Sequence, residues 1–166
     1  MADRSDEKKR DLDILQERAK ELNCLYRVDE ILSDASLSLP EMFEQIIAAV
    51  PEGFRFPASC QTRIVYQNHT YQPSDFLGSN ICESANIAVE GDIIGMIEVL
   101  YTQEVPAVED GFFLDKERKL LKTLADRIGQ AIILRHMKEM SWSWSGPMRG
   151  ADREKSPTDP QWKIIV

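Results

Sequence analysis

The chain is predicted to fold as an α+β domain, a mostly antiparallel sheet flanked by helices, with its N- and C-terminal helices side by side. Three stretches carry that expectation. Residues 87–102, IAVEGDIIGMIEVLYT, read as strand, tight turn and strand, because Gly takes the positive φ that a hairpin turn of the right twist needs and Gly91-Asp92 is a favoured turn pair. Residues 113–137, FLDKERKLLKTLADRIGQAIILRHM, read as one long amphipathic helix, with Leu120, Leu121, Leu124, Ile128, Ala131 and Ile132 at helical spacing. CQTRIVY at 60–66 alternates as a strand does.

In chain order, residues 6–33 form the first helix. Leu12, Leu15, Ala19, Leu22 and Tyr26 recur every three or four residues, the seam of a short coiled coil, while Leu25, Val28, Ile31 and Leu32 make a second stripe that meets the core. A helix of this length outreaches a small domain, so the first stripe is assigned to a partner helix; the alternative is that both stripes pack on the subunit's own sheet. Ser38 and Glu41 have the spacing of a capping box, and Met42, Phe43, Ile46, Ile47 and Val50 give the second helix an apolar face that ends at Pro51 and Gly53. After the strand at 60–66, Asn68-His69 is expected at a turn before a short strand over 70–72. A loop over 73–80 leads into ICESANIAVE, which enters the Gly91 turn. The strand after that turn is apolar on nearly both faces, from Ile93 to Tyr101, and should lie centrally in the sheet. Asp115 is expected as the N-cap of the last helix, with Glu117 in its first turn suiting the helix dipole.

These residues resemble a known family. VEGDIIGMIEV followed by FLDKERKLLKTLADRIGQAI is similar to the closing half of a GAF domain, and ELNCLYRVDEIL with SLSLPEMFEQIIAAVP resemble its opening helices. The resemblance spans roughly residues 12–137 and is closest to the divergent GAF-like module at the front of sensor kinases and of proteins similar to phosphoenolpyruvate synthase or pyruvate phosphate dikinase. It implies a cytoplasmic sensory or regulatory domain of a phosphotransferase or kinase, passing a signal through its terminal helices to a downstream module. Residues 1–11 would then be a charged extension, 12–140 the domain, and 141–166 a linker, rich in Gly and Pro, toward a module beyond the sequence given. In that linker Trp142 and Trp144 either dock the tail or stand as exposed aromatics, and the apolar run from Trp162 to Val166 looks like the start of another element.

Composition excludes other classes. At 166 residues with a net charge of −8, acids spread along the chain, no basic field exists for nucleic acid. The N-terminus, MADRSDEKKRDLD, has no apolar run for a signal peptide, and no stretch approaches a membrane span. Three cysteines at scattered spacings, Cys24, Cys60 and Cys82, read as reduced thiols in a cytoplasm.

No catalytic residue, metal ligand set or cofactor motif is assigned. There is no Gly-x-Ser-x-Gly and no phosphate-binding loop; Cys60, His69 and Cys82 are isolated in sequence rather than spaced as zinc ligands. His136 suits the dipole at a helix end and lacks the acidic neighbour of a phospho-accepting histidine. The enzyme alternative is a methionine-sulfoxide reductase using Cys82 and Cys60, set against two structural thiols; it requires an accessible thiolate and a resolving partner.

The resemblance instead implies a ligand pocket on one sheet face. Its wall would come from Arg63, Val65, Phe76, Leu77, Glu83, Asn86 and Glu98. The Asn-Lys-x-x-x-Phe-Asp-x-x-x-Glu pattern of cyclic-nucleotide GAF domains is absent, as is a bilin-attachment context. Glu98, an acid among apolar neighbours in a central strand, is either solvated on an exposed face or paired with Arg63 or a ligand. The expected partners are therefore a small-molecule ligand and a second copy, joined as a homodimeric four-helix bundle through Leu12, Leu15, Ala19, Leu22 and Tyr26 of one helix and Leu121, Leu124, Ile128 and Ala131 of the other. A purely structural homodimerisation domain without ligand is the alternative.

Overall fold

The computed structural model describes residues 2–151, with side-chain surroundings for residues 3–143. The order is α1 (Ala2–Ser33), α2 (Leu39–Ala49), 3-10 turns at Val50–Gly53 and Pro57–Ser59, β1 (Cys60–Tyr66), β2 (His69–Tyr71), β3 (Cys82–Val89), β4 (Asp92–Tyr101) and α3 (Asp115–Ala151). The chain divides into two units, residues 1–131 and 132–166.

In the first unit a four-stranded antiparallel sheet runs β2-β1-β4-β3, so the strand that is apolar on both faces is central, as its sequence requires. The turns fall one residue earlier than expected. Val89 pairs with Asp92 across Glu90-Gly91, and Tyr66 with His69 across Gln67-Asn68. All four turn residues have positive φ, between 46° and 89°, the signature of type I′ turns. Asp92 and His69 therefore open strands instead of closing turns.

Ser38 caps α2 with the full capping box to Glu41, whose carboxyl is held below its ordinary range by the Ser38 side chain and then its backbone N–H. The α2 face Met42, Phe43, Ile46, Ile47 lies in the core, with Phe43 tilted against Tyr66 at 5.4 Å and Tyr71 at 5.0 Å. Alternation divides β1 cleanly: Cys60, Thr62, Ile64 and Tyr66 are buried beneath the helices, while Gln61, Arg63 and Val65 face the other way. Thr62 Oγ1 is buried with no partner among the described residues.

α1 enters the core only at its C-terminal end, through Cys24, Val28 and Ile31. No residue from Asp3 to Asn23 is buried, so about 30 Å of helix, at 1.5 Å per residue, adds nothing to the core. At the buried end, Gly53 is wedged between α1 and α3: a Cβ there would come within 2.9 Å of both Cys24 and Leu120. An Arg127–Asp29 ion pair also ties the two helices together.

α3 starts one residue after its cap. Leu114, not Asp115, holds the N-cap position and has no side-chain oxygen to offer; Glu117 reaches back to accept from the Leu114 N–H at 2.8 Å. The α3 segment Leu120, Leu121, Leu124, Ile128 is part of the core. In the second unit α3 continues to Ala151, so the linker expected from residue 141 is helical over its first turns despite Gly146-Pro147. Leu134, Met137, Met140 and Trp142 are exposed on this stretch. The expected apolar run at Trp162 to Val166, and the side chain of Trp144, lie outside the described residues. No helix among the described residues is long and apolar enough to cross a membrane.

Candidate functional site

Register sorts the predicted wall residues. On the sheet face turned away from the helices, three cross-strand rows form: Gln61–Leu100–Cys82, Arg63–Glu98–Ser84 and Val65–Met96–Asn86. Arg63, Val65, Asn86 and Glu98 thus share one face. Glu83 does not, because a residue of opposite parity on the same strand points to the other side; it faces the helices and meets Arg118 Nε of α3 at 3.3 Å.

The segment after β2 folds over this outer face. Both ends of the Gln61 amide hold it: Nε2 donates to the Asp75 carbonyl at 3.0 Å and Oε1 accepts from the Leu77 N–H at 2.9 Å. Phe76 is thereby laid against Arg63, whose guanidinium carbon is 5.4 Å from the ring centroid. The Leu77 side chain points away and is 76% exposed, so it contributes no wall.

Glu98 is the centre of the cluster and only 8% exposed. Arg63 Nε donates directly to its Oε2, which resolves the alternatives left by the sequence in favour of a buried, paired carboxylate. Burial without that partner would cost several kcal/mol. Arg63 remains about one-third exposed at 35% of its side chain, so the guanidinium bridges a buried acid, an aromatic face and solvent.

Thiol chemistry is not favoured here. Cys82 is exposed beside Glu98, and desolvation first, then the Glu98 carboxylate, push its thiol above the ordinary range, with Arg63 opposing. A thiolate nucleophile needs the opposite shift. Cys60 is buried on the helix-covered face, its thiol pushed up to about 12 by burial and then by Glu117. It pairs with Tyr101 in register while Cys82 pairs with Leu100, so the two cysteines lie on opposite faces with β4 between them. They do not come together as an attacking and resolving pair.

Half of the expected dimer seam is also relocated. Leu121, Leu124 and Ile128 are at most 1% exposed and Ala131 is 9% exposed within the single subunit; they are core, since the buried face of an amphipathic helix and a coiled-coil seam share one periodicity. On α1 the seam stays on the surface: Leu12, Leu15, Leu22 and Tyr26 are 57–68% exposed, and Ala19 is exposed with them.

A second polar centre, Glu117, which is 3% exposed, was not foreseen from any local pattern. Its Oε1 accepts from the Tyr101 hydroxyl at 2.7 Å and the Arg55 N–H at 2.9 Å, its Oε2 from the Leu114 N–H, and Arg55 Nε stands 3.6 Å away. Phe113 stacks on Tyr101 at 4.9 Å over the same spot. This carboxylate is fully engaged and fixes the start of α3 to β4 and to the loop before β1.

Among the described residues, cavities also open elsewhere. One of about 420 Å³ opens between Asp13, Ile14, Glu17 and Glu21 of α1 and the first turn of α3. Another, about 370 Å³, follows β3 between Glu83–Asn86 and Arg118, Lys122 and Asp126 of α3. Neither is lined by Arg63, Phe76 or Glu98. Among the described residues no group of three or more His, Cys, Asp or Glu side chains converges to hold a metal ion. The chain matches no family model, no curated protein and no solved structure.

Proposed function

We propose that the chain is a non-catalytic, GAF-like regulatory domain of the cytoplasm that self-associates through α1 and passes a signal along its terminal helices to a downstream module, a phosphoenolpyruvate synthase-like phosphotransferase or a sensor kinase. The observation that carries this reading is α1 itself. It spends one end in the core and presents Leu12, Leu15, Leu22 and Tyr26 to solvent over the rest, each more than half exposed. Helices in proteins draw most of their stability from packing an apolar face, and this 32-residue helix leaves its stripe uncovered in the single subunit. A second α1 covers it with matching spacing, and a helix rooted at Cys24, Val28 and Ile31 transmits any shift of the core along its length.

The sensing surface of this reading is the outer sheet face, where Arg63, one-third exposed under Phe76, is the cation that a small anionic ligand or an acidic partner would address. The satisfied Arg63–Glu98 pair favours the second reading, a structural dimerisation domain that binds nothing there. Sedimentation separates self-association from its absence: wild type is expected to sediment as a dimer at tens of micromolar, and Leu15→Asp with Leu22→Asp as a folded monomer. A monomeric wild type would defeat the proposal. Native mass spectrometry of protein isolated from cells then distinguishes the two readings by whether a small molecule is retained.

A further inference from the structure

β3 forms one border of the sheet, and the hydrogen-bond phase of its neighbours fixes which of its backbone groups are unused. Tyr101 N–H donates to the Ile81 carbonyl at 3.0 Å, and Thr102 N–H to the Ser59 carbonyl at 2.8 Å. Alternation in an antiparallel ladder then assigns the backbone groups of Ile97, Val99 and Tyr101 to β3, and those of Met96, Glu98 and Leu100 to β1. On β3, Glu83, Ala85 and Ile87 bond to β4. The N–H and C=O groups of Cys82, Ser84 and Asn86 point out of the sheet, with no backbone partner among the described residues.

Proteins blunt such an edge with lysine, proline or a bulge. From Cys82 to Ile87 this edge has none of them; the only irregularity follows, between Ile87 and Ala88. The side chains beside the free groups are small or polar, and the one charge, Glu83, is turned under the sheet to Arg118.

A second observation points to an occupant. The cavity of about 370 Å³ along β3 takes in residues from both strand faces, Glu83 to Asn86, so it follows the free edge, and its far wall is Arg118, Lys122 and Asp126 of α3. The helix keeps step with the strand: Arg118 meets Glu83, and Gly129 stands against the Ala88 carbonyl. Eleven helical residues and five extended ones both span about 16 Å. α3 therefore packs along β3 on the helix-covered side, and the cavity of about 370 Å³ runs beside the strand's free edge with Arg118, Lys122 and Asp126 on its helix side.

We infer that this groove receives an extended peptide segment of a partner protein, added to the sheet at Cys82, Ser84 and Asn86, with an acidic side chain of that segment facing Lys122. Backbone pairing supplies the affinity and the groove wall the selectivity. Lys122 is exposed and has no ion pair among the described residues, whereas Arg118 is already engaged by Glu83 and Asp115. A second copy of this chain fits less well: pairing β3 with β3 about a twofold axis would carry a second α3 onto the same sheet face, and helices need about 8–10 Å between axes against about 4.8 Å between strands. The inference stands whether or not α1 self-associates.

The test uses the full chain labelled for amide NMR and a synthetic heptapeptide of alternating threonine and valine with a central glutamate. In the free protein the Cys82, Ser84 and Asn86 amides should exchange rapidly. At millimolar peptide they should shift, and at about 90% occupancy their exchange should slow about tenfold, since they exchange only from the free tenth. Ser84→Pro removes one outward N–H, is tolerated at an edge, and should abolish the effect. Lys122→Glu, on the surface, should weaken the glutamate peptide about fivefold, the worth of about 1 kcal/mol, and reverse the preference toward a central lysine. The inference is overturned if the peptide leaves these amides unmoved, if Lys122→Glu leaves the charge preference unchanged, or if the three amides are already protected in the free protein, as a second copy or another segment of the chain on the edge would make them.

Discussion

Glu117→Gln removes a charge and changes almost no volume, so its cost isolates what the carboxylate does. Oε1 takes two hydrogen bonds, from the Tyr101 hydroxyl and the Arg55 N–H, and Oε2 takes one from the Leu114 N–H. An amide keeps only one of those oxygens. With nitrogen at the Oε2 position, its hydrogens confront the Leu114 N–H and the Arg55 guanidinium; with nitrogen at Oε1, the Arg55 N–H is orphaned and the tyrosine must turn to accept. Either orientation leaves at least one partly buried backbone donor unsatisfied, at about 1–3 kcal/mol, and removes an ionic partner from Arg55. Together these cost about 3 kcal/mol, against a total stability of order 5–15 kcal/mol for a domain, so the variant should still fold. Urea unfolding followed by far-ultraviolet circular dichroism reads the loss: with a slope of about 1.5–2 kcal/mol/M the midpoint falls by about 1.5–2 M. Tyr101→Phe, which deletes one bond and leaves the others, should cost only about half as much. A loss below about 1 kcal/mol for Glu117→Gln would mean that the carboxylate is solvated and that α3 is not anchored in this way.

Four other outcomes are expected on the same reasoning. A double-mutant cycle of Arg63→Met and Glu98→Gln should give a coupling of about 1–2 kcal/mol in urea unfolding, between the values for surface and fully buried pairs because Arg63 is one-third exposed; additivity would deny the pair. At pH 8 a small alkylating reagent should modify Cys82 alone in the folded protein, since burial pushes the Cys24 and Cys60 thiols up to about 11 and about 12. The folded state keeps both protons longer than the unfolded chain, so their stabilising contribution is full below about pH 9 and is lost as pH rises toward those values, a decline that Cys60→Ala should lessen. Thr62→Val replaces a buried, unpartnered hydroxyl with a methyl of equal size and should raise stability by about 1 kcal/mol in thermal or urea unfolding; a loss instead would reveal a partner for Oγ1.

What could be read ahead of the structure was local. The Ser38–Glu41 box, the strand from Cys60 to Tyr66 and the β3–β4 hairpin depend on residues a few positions apart, and all are present. The hairpin turn was displaced by one residue because type I′ geometry needs two positive-φ positions, and Glu90 supplies the first although its side chain does not favour it. Strand parity alone puts Glu83 and Asn86 on opposite faces of β3, whereas the meeting of Arg63 with Glu98 depends on the register of β1 against β4, which no local pattern sets. Helical periodicity cannot say what covers an apolar stripe. Leu121, Leu124 and Ile128 are buried by their own subunit, while Leu12 and Leu15 at the same spacing are not. The Glu117 centre was out of reach of any local pattern, since its partner Arg55 is 62 residues away and an acid in a first helical turn ordinarily signals only the dipole.

The self-association of α1 is tested most directly by amide hydrogen exchange over residues 3–23, measured at several protein concentrations. No residue of that stretch is buried in the single subunit, so its helical hydrogen bonds are weakly protected alone and gain protection only from a covering partner. The account predicts protection that rises with concentration, that disappears in Leu15→Asp with Leu22→Asp, and that leaves the amides of β1 and β4 unchanged. Exchange over 3–23 that is fast and independent of concentration would contradict it, and would leave α1 a solitary helix.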